Sequence, residues 1–412
     1  MKLHSNLQVT YGMRLRARSL RVLFLMFSLT YRRAHATIIT EWSIQSPEGP
    51  LTCGRVVTMD RSMMRKSVRG LTTYYNPDVG NAIRMDTNVN VLGSNPAAEA
   101  YVEGLRINTN TYPNTYSDGL RDALADLYGL KRDNFVVGNG SDEMINTAFT
   151  TFVEPGVTSV IQPYPSYSLY SYFTQLSSGI MKEAELDEDF QLDPDAMIGK
   201  GEDRKGVLIM PSPNNPTGNC FRTKDIEEIL SKHEGIVILD EAYSEYARKT
   251  MIDKVDEFDN LIVCKTFSKA YAMAAFRVGY MASNLKVADM LNSVKVPYSL
   301  NGISEGAAIA ALKDRSFVER SVSMVEEQRP KLAKKMETLG FECYPSDANF
   351  ILARAPIDHA KLVEGMKKRG ILIRDFGTKR RTENCVRPTV GTEELNKLMT
   401  DAMEDIIAEE SR

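Results

Sequence analysis

The chain is poor in the residues that build disulfide frameworks and metal sites. It has five cysteines in 412 residues, and none of them forms a CxxC pair. The odd number and the scattered spacing fit reduced thiols in a cytosol-like compartment and exclude a zinc framework. It has only four histidines, of which His4 and His35 lie in the first forty residues, and His233 and His359 lie among polar residues of predicted helices. We therefore expect neither a histidine-based triad nor a bound metal.

Neither sign of charge is in large excess. The formal net charge is −3, and 43% of the residues are hydrophobic and 25% are charged. This composition is typical of globular proteins, the length allows two domains, and no nucleic-acid partner is indicated.

The first forty residues differ from the rest because no acidic residue precedes Glu41. The apolar run at 22–29 is too short to span a bilayer, so no membrane partner is expected. Arg32 and Arg33 follow the run after two residues, which argues against a signal peptide and leaves a transit peptide or translation upstream of the true start. We predict that residues 1–62 are a disordered extension, a leader or a mis-start. We also predict a cytoplasmic protein, with organelle import as the alternative.

From about residue 84, short apolar runs alternate with helical patterns. The apolar runs lie at 134–138, 158–163, 206–215, 235–243 and 260–269. Continuous apolar strands separated by helices indicate a parallel sheet covered on both faces. One helix is predicted over 117–129, with Ser117 as N-cap and Gly129 as its end.

The C-terminal part has a long polar helical pattern (315–339) and shorter apolar runs, typical of an α+β unit. We predict an α/β protein with a mostly parallel, seven-stranded sheet in a large domain (95–299). A smaller α+β domain combines residues 63–94 with 300–412.

Polar groups follow several predicted strands at their carboxyl ends, where parallel sheets bind ligands. They are Asn215, Asp240, Tyr243, Ser268 and Lys269. An amine that must react with a carbonyl group needs a desolvated or electropositive setting, so Lys269 is the candidate for covalent chemistry. Lys269 could instead be a surface lysine, Asp240 a helix cap, and Asn215 part of a plain turn.

An anion site is indicated by "GNGSDE" (138–143), which follows a strand and opens a helix, since the free N–H groups of a helix start bind phosphate. Arg277, Thr266 and Ser268 add a guanidinium and two hydroxyls to that site. Tyr167 could stack on a flat ring, or it could be an ordinary core or surface aromatic residue.

Three motifs in this order, "PNNPTG", "LDEAY" and "TFSKAYAMAAFRVGY", resemble the fold-type I pyridoxal-phosphate aminotransferases. Further matches, among them "TNVNVLG", "ANFILAR", "GILIRDF" and "VRPTVGT", resemble the histidinol-phosphate aminotransferases most. The resemblance covers residues 68–409.

The resemblance implies that pyridoxal phosphate is bound covalently by Lys269, with Asp240 on the pyridine nitrogen and Asn215 and Tyr243 on the phenolic oxygen. It assigns the cofactor's phosphate to Gly140, Ser141, Asp142, Thr266, Ser268 and Arg277, and ring stacking to Tyr167.

The same resemblance implies a homodimer in which Tyr112 reaches the phosphate of the neighbouring subunit's cofactor. It assigns the substrates to Arg374, Arg387, Asn349 and Asn90. The implied reaction is transamination between histidinol phosphate and 2-oxoglutarate, which belongs to histidine biosynthesis. Val91 replaces a proline of the family pattern, which affects the expected shape of the substrate lid.

Two related activities remain open from the motifs, threonine-phosphate decarboxylase and a broad aromatic aminotransferase. A transcription regulator with an aminotransferase-like domain would need a DNA-binding domain in front, and residues 1–66 show no helix-turn-helix pattern of adequate length.

Overall fold

A computed structural model of the chain describes residues 43–46, 49–52, 60–72, 80–105 and 110–410, the first two ranges by their backbone only. The expectation for residues 1–62 lies mostly outside these residues. Strands β1 (Ser43–Ser46) and β2 (Gly49–Thr52) pair antiparallel as a hairpin. Lys66–Arg412 forms a separate compact unit.

The larger sheet of that unit has seven strands. They are β4 (Phe135–Gly138), β5 (Ser159–Tyr164), β6 (Ile180–Glu185), β7 (Val207–Pro211), β8 (Val237–Asp240), β9 (Leu261–Thr266) and β10 (Gly279–Ser283). Their spatial order is β4-β10-β9-β8-β7-β5-β6, and β10 runs in the opposite direction to the other six strands. Every residue of β7, β8 and β9 is buried, as expected for a sheet covered on both faces. The predicted mostly parallel sheet is confirmed.

Helices cover both faces of this sheet. Consecutive strand residues point to opposite sides, so a strand in which every residue is apolar and buried needs cover on both faces. Ile238 packs into one apolar cluster, whereas the next residue, Leu239, packs into the other. The helices of this part are α1 (Pro96–Glu103), α2 (Asp118–Tyr128), α3 (Ser141–Phe152), α4 (Leu169–Ser177), α5 (Pro194–Ile198), α6 (Thr223–Lys232), α7 (Ser244–Ala247), α8 (Leu285–Val294) and α9 (Gly302–Lys313).

Helix α2 begins and ends where the sequence predicts, but its first turn is held differently. Ser117 makes no side-chain cap hydrogen bond, because its backbone adopts a left-handed conformation with φ 55°. The Asn114 side chain accepts from the backbone N–H of Asp118 instead, at 3.2 Å. Gly129 ends the helix at φ 69°, a left-handed position that suits glycine.

The second sheet has five strands, β3 (Ile83–Met85), β11 (Glu342–Cys343), β12 (Ala353–Arg354), β13 (Ile371–Asp375) and β14 (Cys385–Arg387), in the order β11-β12-β14-β13-β3. Helices α10 (Ser316–Thr338), α11 (His359–Lys368) and α12 (Glu393–Glu410) accompany it. β3 pairs parallel to β13, so a segment before the large sheet joins the C-terminal strands. This pairing agrees with a smaller α+β part made of two chain segments, whose exact boundaries stay a prediction.

Candidate active site

A cavity of about 560 Å³ lies at the carboxyl ends of the central strands. Tyr164, Pro211, Asp240 and Thr266 line it, and each is the last residue of its strand. The predicted site residues that line it are Ser141, Asp142, Tyr167, Asn215, Asp240, Tyr243, Thr266, Ser268, Lys269, Arg277, Arg374 and Arg387. The expected convergence of polar strand ends therefore occurs in the fold.

Lys269 follows β9 and points its amine into this cavity. Its Nζ donates to the carbonyl of Thr87 at 2.9 Å and lies 5.7 Å from the centre of the Tyr243 ring. The Tyr243 hydroxyl accepts from Nδ2 of Asn88 at 3.0 Å. The amine is thus held beside a phenol that is itself fixed by an amide.

Asp240 ends β8 and is 4% exposed. Its Oδ1 accepts from the backbone N–H of Ala242 at 3.1 Å, and its Oδ2 accepts from the Tyr170 hydroxyl at 2.7 Å. Burial raises the pKa of this carboxyl to about 6, against the two hydrogen bonds, which lower it. Among the described residues no cation pairs with Asp240, so a buried carboxylate faces the cavity without a counter-charge.

An anion cradle is formed where β4 turns into α3. Gly140 has φ 89°, a conformation that favours glycine, and a Cβ placed there would lie 2.6 Å from Nη2 of Arg277, so a side chain at this position would displace the guanidinium. No side chain caps the start of α3. The backbone N–H groups around Ser141 and Asp142 are therefore available to an anion.

The segment after β9 supplies the other side of the cradle. Nη1 of Arg277 lies 3.4 Å from Oγ of Ser268, and Nη2 lies 3.2 Å from Oδ2 of Asp142. Thr266 Oγ1 donates to Ser268 Oγ at 3.0 Å and accepts from its backbone N–H at 3.1 Å. Two hydroxyls and a guanidinium thus face the start of α3.

Two arginines stand side by side in the second sheet, because Arg374 of β13 pairs with Arg387 of β14. Arg387 is 5% exposed and stacks between the rings of Phe350 (4.8 Å) and Phe376 (5.3 Å). Burial and, less strongly, the neighbouring Arg374 lower the pKa of Arg387 to about 10.

The hydrogen bonds of the two arginines differ. Arg387 donates to Oδ1 of Asn215 and, at 2.9 Å, to the carbonyl of Asp86, while its Nε is buried without a partner. Arg374 is exposed. One guanidinium is therefore fixed in place, and the other is free to adjust to a ligand.

Four predicted residues do not line the cavity. Gly140 lies behind Arg277, and Asn90 donates to the Ala270 carbonyl (3.1 Å) and to Ser321 Oγ (2.8 Å). Asn349 is buried and donates to the carbonyl of Asn88 at 3.1 Å. Tyr112 is 82% exposed and stacks on Tyr298, with ring centres 4.8 Å apart.

Two residues that the sequence analysis did not select belong to the site. Asn88 lies two positions before Asn90 in "TNVN", and its positive φ of 54° turns its amide to Tyr243. Tyr170 lies in the first turn of α4, three residues after Tyr167, so a search of the residues that follow Tyr167 would have found it.

These groups fit pyridoxal phosphate. An amine faces a cavity that also holds a buried carboxylate without a counter-charge and an anion cradle in which Arg277 lies close against Gly140. Among the described residues, no group of three or more His, Cys, Asp or Glu side chains is placed to hold a metal ion. In the same part of the chain, no helix is long and apolar enough to cross a membrane.

Comparisons with known proteins agree with this geometry. Residues 81–403 match the family described as aminotransferase class I and II. Histidinol-phosphate aminotransferase of Caldanaerobacter subterraneus subsp. tengcongensis is 35% identical over 357 residues, which cover 85% of this chain and 100% of that protein. The enzyme of that name from Pyrococcus furiosus is 35% identical over 74% of this chain and 86% of its own length.

Solved structures show the same fold. Histidinol-phosphate aminotransferase from Sinorhizobium meliloti, in complex with pyridoxal-5'-phosphate, superposes with a TM-score of 0.78 at 22% identity, over 84% of this chain and 98% of its own. The enzyme from Clostridium acetobutylicum gives 0.74 at 24% identity, over 79% and 99%. The predicted fold class and family resemblance are confirmed. The chain belongs to the class I and II aminotransferases and is a pyridoxal-phosphate-dependent transaminase.

Proposed function

We propose that this transaminase exchanges an amino group between histidinol phosphate and 2-oxoglutarate, a reversible step of histidine biosynthesis in the cytoplasm. The names of relatives that are 35% identical over most of the chain support this substrate. The observation that carries the proposal is the pair Arg374 and Arg387 at the cavity.

The cofactor, when bound, supplies an electron sink for the carbon that gains or loses the amine. Lys269 holds it covalently, since among the described residues the lysines that line the cavity are Lys269 and Lys379, and Lys379 is exposed. Asp240 holds a proton on the ring nitrogen, and its buried carboxylate gains the counter-charge it lacks. Asn215 and Tyr243 hydrogen-bond the phenolic oxygen.

The anion cradle holds the cofactor's phosphate. Arg277 supplies charge, Thr266 and Ser268 supply hydroxyl donors, and the backbone of Ser141 and Asp142 supplies N–H groups at the start of α3. Gly140 permits the close approach of Arg277, and Tyr167 packs on the ring.

The two arginines let one cavity accept two kinds of substrate. Histidinol phosphate carries a phosphate and no carboxylate, whereas glutamate carries two carboxylates and no phosphate. A guanidinium binds either anion through two parallel hydrogen bonds. Arg387 is the fixed anchor, and Arg374 is the exposed one that adjusts to anions of different size.

Other predicted residues act from outside the cavity wall. Asn90 and Asn349 anchor the segments of Lys269 and Asn88, which orders the substrate side of the site. Tyr112 projects from the single chain, so a second copy is proposed to receive it at its cofactor's phosphate. This makes the active enzyme a homodimer.

A substrate panel tests the proposal. Purified enzyme with histidinol phosphate and 2-oxoglutarate is expected to form glutamate. Release of carbon dioxide from threonine phosphate without consumption of a 2-oxo acid would instead identify the decarboxylase. Equal rates with tyrosine, phenylalanine and histidinol phosphate would identify a broad aromatic aminotransferase.

A further inference from the structure

One buried hydrogen bond of the site has no assigned purpose. The Tyr170 hydroxyl donates to Oδ2 of Asp240 at 2.7 Å, and both side chains are almost wholly buried. Burial raises the pKa of Tyr170 well above its usual value, with the Asp240 charge adding to the effect, so the hydroxyl keeps its proton and remains a donor.

The geometry around Asp240 leaves little else to orient it. Among the described residues, its other hydrogen bond is the one that Oδ1 accepts from the backbone N–H of Ala242. That contact holds one oxygen and allows the carboxylate plane to tilt about it. Tyr170, on α4, holds the other oxygen. The Tyr170 ring is itself held in place, because it packs in the apolar cluster that contains Ile238 and lies against the ring of Tyr167, with ring centres 5.4 Å apart.

We propose that Tyr170 is a positioning residue, which fixes the Asp240 carboxylate through this hydrogen bond in the orientation that meets the cofactor's ring nitrogen. Tyr170 acts through Asp240. The inference rests on the pairing of Asp240 with the cofactor proposed above.

The hydrogen bond that Tyr170 donates also favours the ionised form of the carboxyl, whereas burial favours the protonated form. Other titratable groups lie near this pair: Asp142 on α3, Glu241 after β8 and Cys264 on β9 interact with the charge of Asp240, and Tyr167 before α4 lies against Tyr170. Lys269 and Arg277 line the same cavity. Replacing Tyr170 by phenylalanine leaves these groups in place, so its effect isolates the hydroxyl.

The test measures cofactor affinity of the cofactor-free full-length protein by fluorescence titration, with two ligands. One is pyridoxal phosphate, and the other is its analogue with carbon in place of the ring nitrogen. Tyr170→Phe is expected to weaken binding of pyridoxal phosphate by about tenfold at neutral pH, because a hydrogen bond to a charged group is lost. Binding of the carbon analogue should change less than about twofold, since it offers Asp240 no ring nitrogen to meet.

The pH dependence gives a second readout. Loss of the donor should move the acidic decline of pyridoxal phosphate binding to higher pH by about one unit, because the carboxyl protonates more readily. Tyr172→Phe is the matched control, since Tyr172 lies on the same helix, is 38% exposed and does not line the cavity. It should bind both ligands as the unchanged protein does.

Two results would overturn the inference. Equal weakening of both ligands by Tyr170→Phe would mean that the ring merely supports the cavity wall. Unchanged binding of both would mean that the hydroxyl is dispensable. Asp240→Asn tests the underlying proposal separately. If this change affects the affinities for pyridoxal phosphate and for the carbon analogue equally, the pairing of Asp240 with the ring nitrogen is wrong, whatever Tyr170 does.

Discussion

Replacement of the two substrate arginines should damage both half-reactions, but unequally. Arg387 is 5% exposed, stacks between two rings and bonds Asn215 and the Asp86 carbonyl. Arg374 is exposed. Removal of Arg387 leaves a substrate anion unpaired in a dry environment, whereas water can partly replace Arg374.

The magnitude follows from this difference in burial. Truncation of one partner of a buried, hydrogen-bonded charge pair costs about 2–5 kcal/mol, or about 30- to 4,000-fold in kcat/KM. An exposed charge pair contributes about 0–1 kcal/mol, because solvent screens it. We therefore expect Arg387→Ala to lower kcat/KM at least about fivefold more than Arg374→Ala does. Arg374→Lys should be milder still, since the charge remains and only the paired donors are lost.

Single-turnover spectra of the bound cofactor measure the two half-reactions separately, one with glutamate and one with histidinol phosphate. Arg354→Ala is a matched control, because Arg354 lies on β12 of the same sheet, pairs with Glu342 and does not line the cavity. It should leave both rates unchanged. The shared-arginine reasoning is refuted if Arg387→Ala spares either half-reaction, or if Arg374→Ala is the more damaging change.

Three further changes test the cofactor site. Lys269→Ala should prevent borohydride from fixing the cofactor to the protein, whereas Lys379→Ala should still allow it, as mass spectrometry can show. Asp240→Asn should retain the cofactor but slow turnover by about two to four orders of magnitude, since loss of one partner of a buried ion pair costs about 3–5 kcal/mol. In cofactor-free protein, the native carboxyl, with its pKa raised to about 6, keeps its proton to higher pH than the unfolded chain does, so its contribution to the free energy of unfolding is lost as the pH rises from about 4 to about 6. Asp240→Asn should remove this pH-dependent loss, which urea titration at several pH values can measure. Tyr112→Phe should weaken cofactor retention about tenfold without lowering the melting temperature, and unchanged retention on dialysis would contradict the proposed reach into a neighbouring subunit.

The sequence predicts the parts of the site that follow from strand ends. Asp240 is the last residue of a buried strand and Lys269 lies three residues after another, and in a parallel sheet such positions meet at one edge. Their convergence could be expected without knowing any contact. The same reasoning identified Asn215, whose strand β7 lies next to β8.

The parts that could not be predicted depend on single backbone angles or on distant segments. Asn88 and Asn90 are equivalent in the sequence pattern, and the positive φ of Asn88 decides which amide meets Tyr243. The enclosure of Arg387 requires Phe350 and Phe376, which approach it only when the second sheet has formed. A local pattern contains neither kind of information.

Two lysines four residues apart show how environment, more than residue type, selects the reactive amine. Lys265 is 3% exposed and lies 3.1 Å from Glu245 and 3.3 Å from Glu241. Burial opposes its charge, yet the two carboxylates raise its pKa well above the usual value, so its amine stays protonated.

In the described part of the chain no carboxylate pairs with Lys269, whose amine donates to the carbonyl of Thr87. Two consecutive acidic residues at the end of β8 have different roles. Asp240 faces the cavity, whereas Glu241 points to the other side and pairs with Lys265. That buried ion pair connects β9 to the segment after β8, four residues before Lys269 in the chain. The ion pairs of Lys265 thus support the segment that carries Lys269, while the amine of Lys269 has no carboxylate partner among the described residues and is available for covalent chemistry.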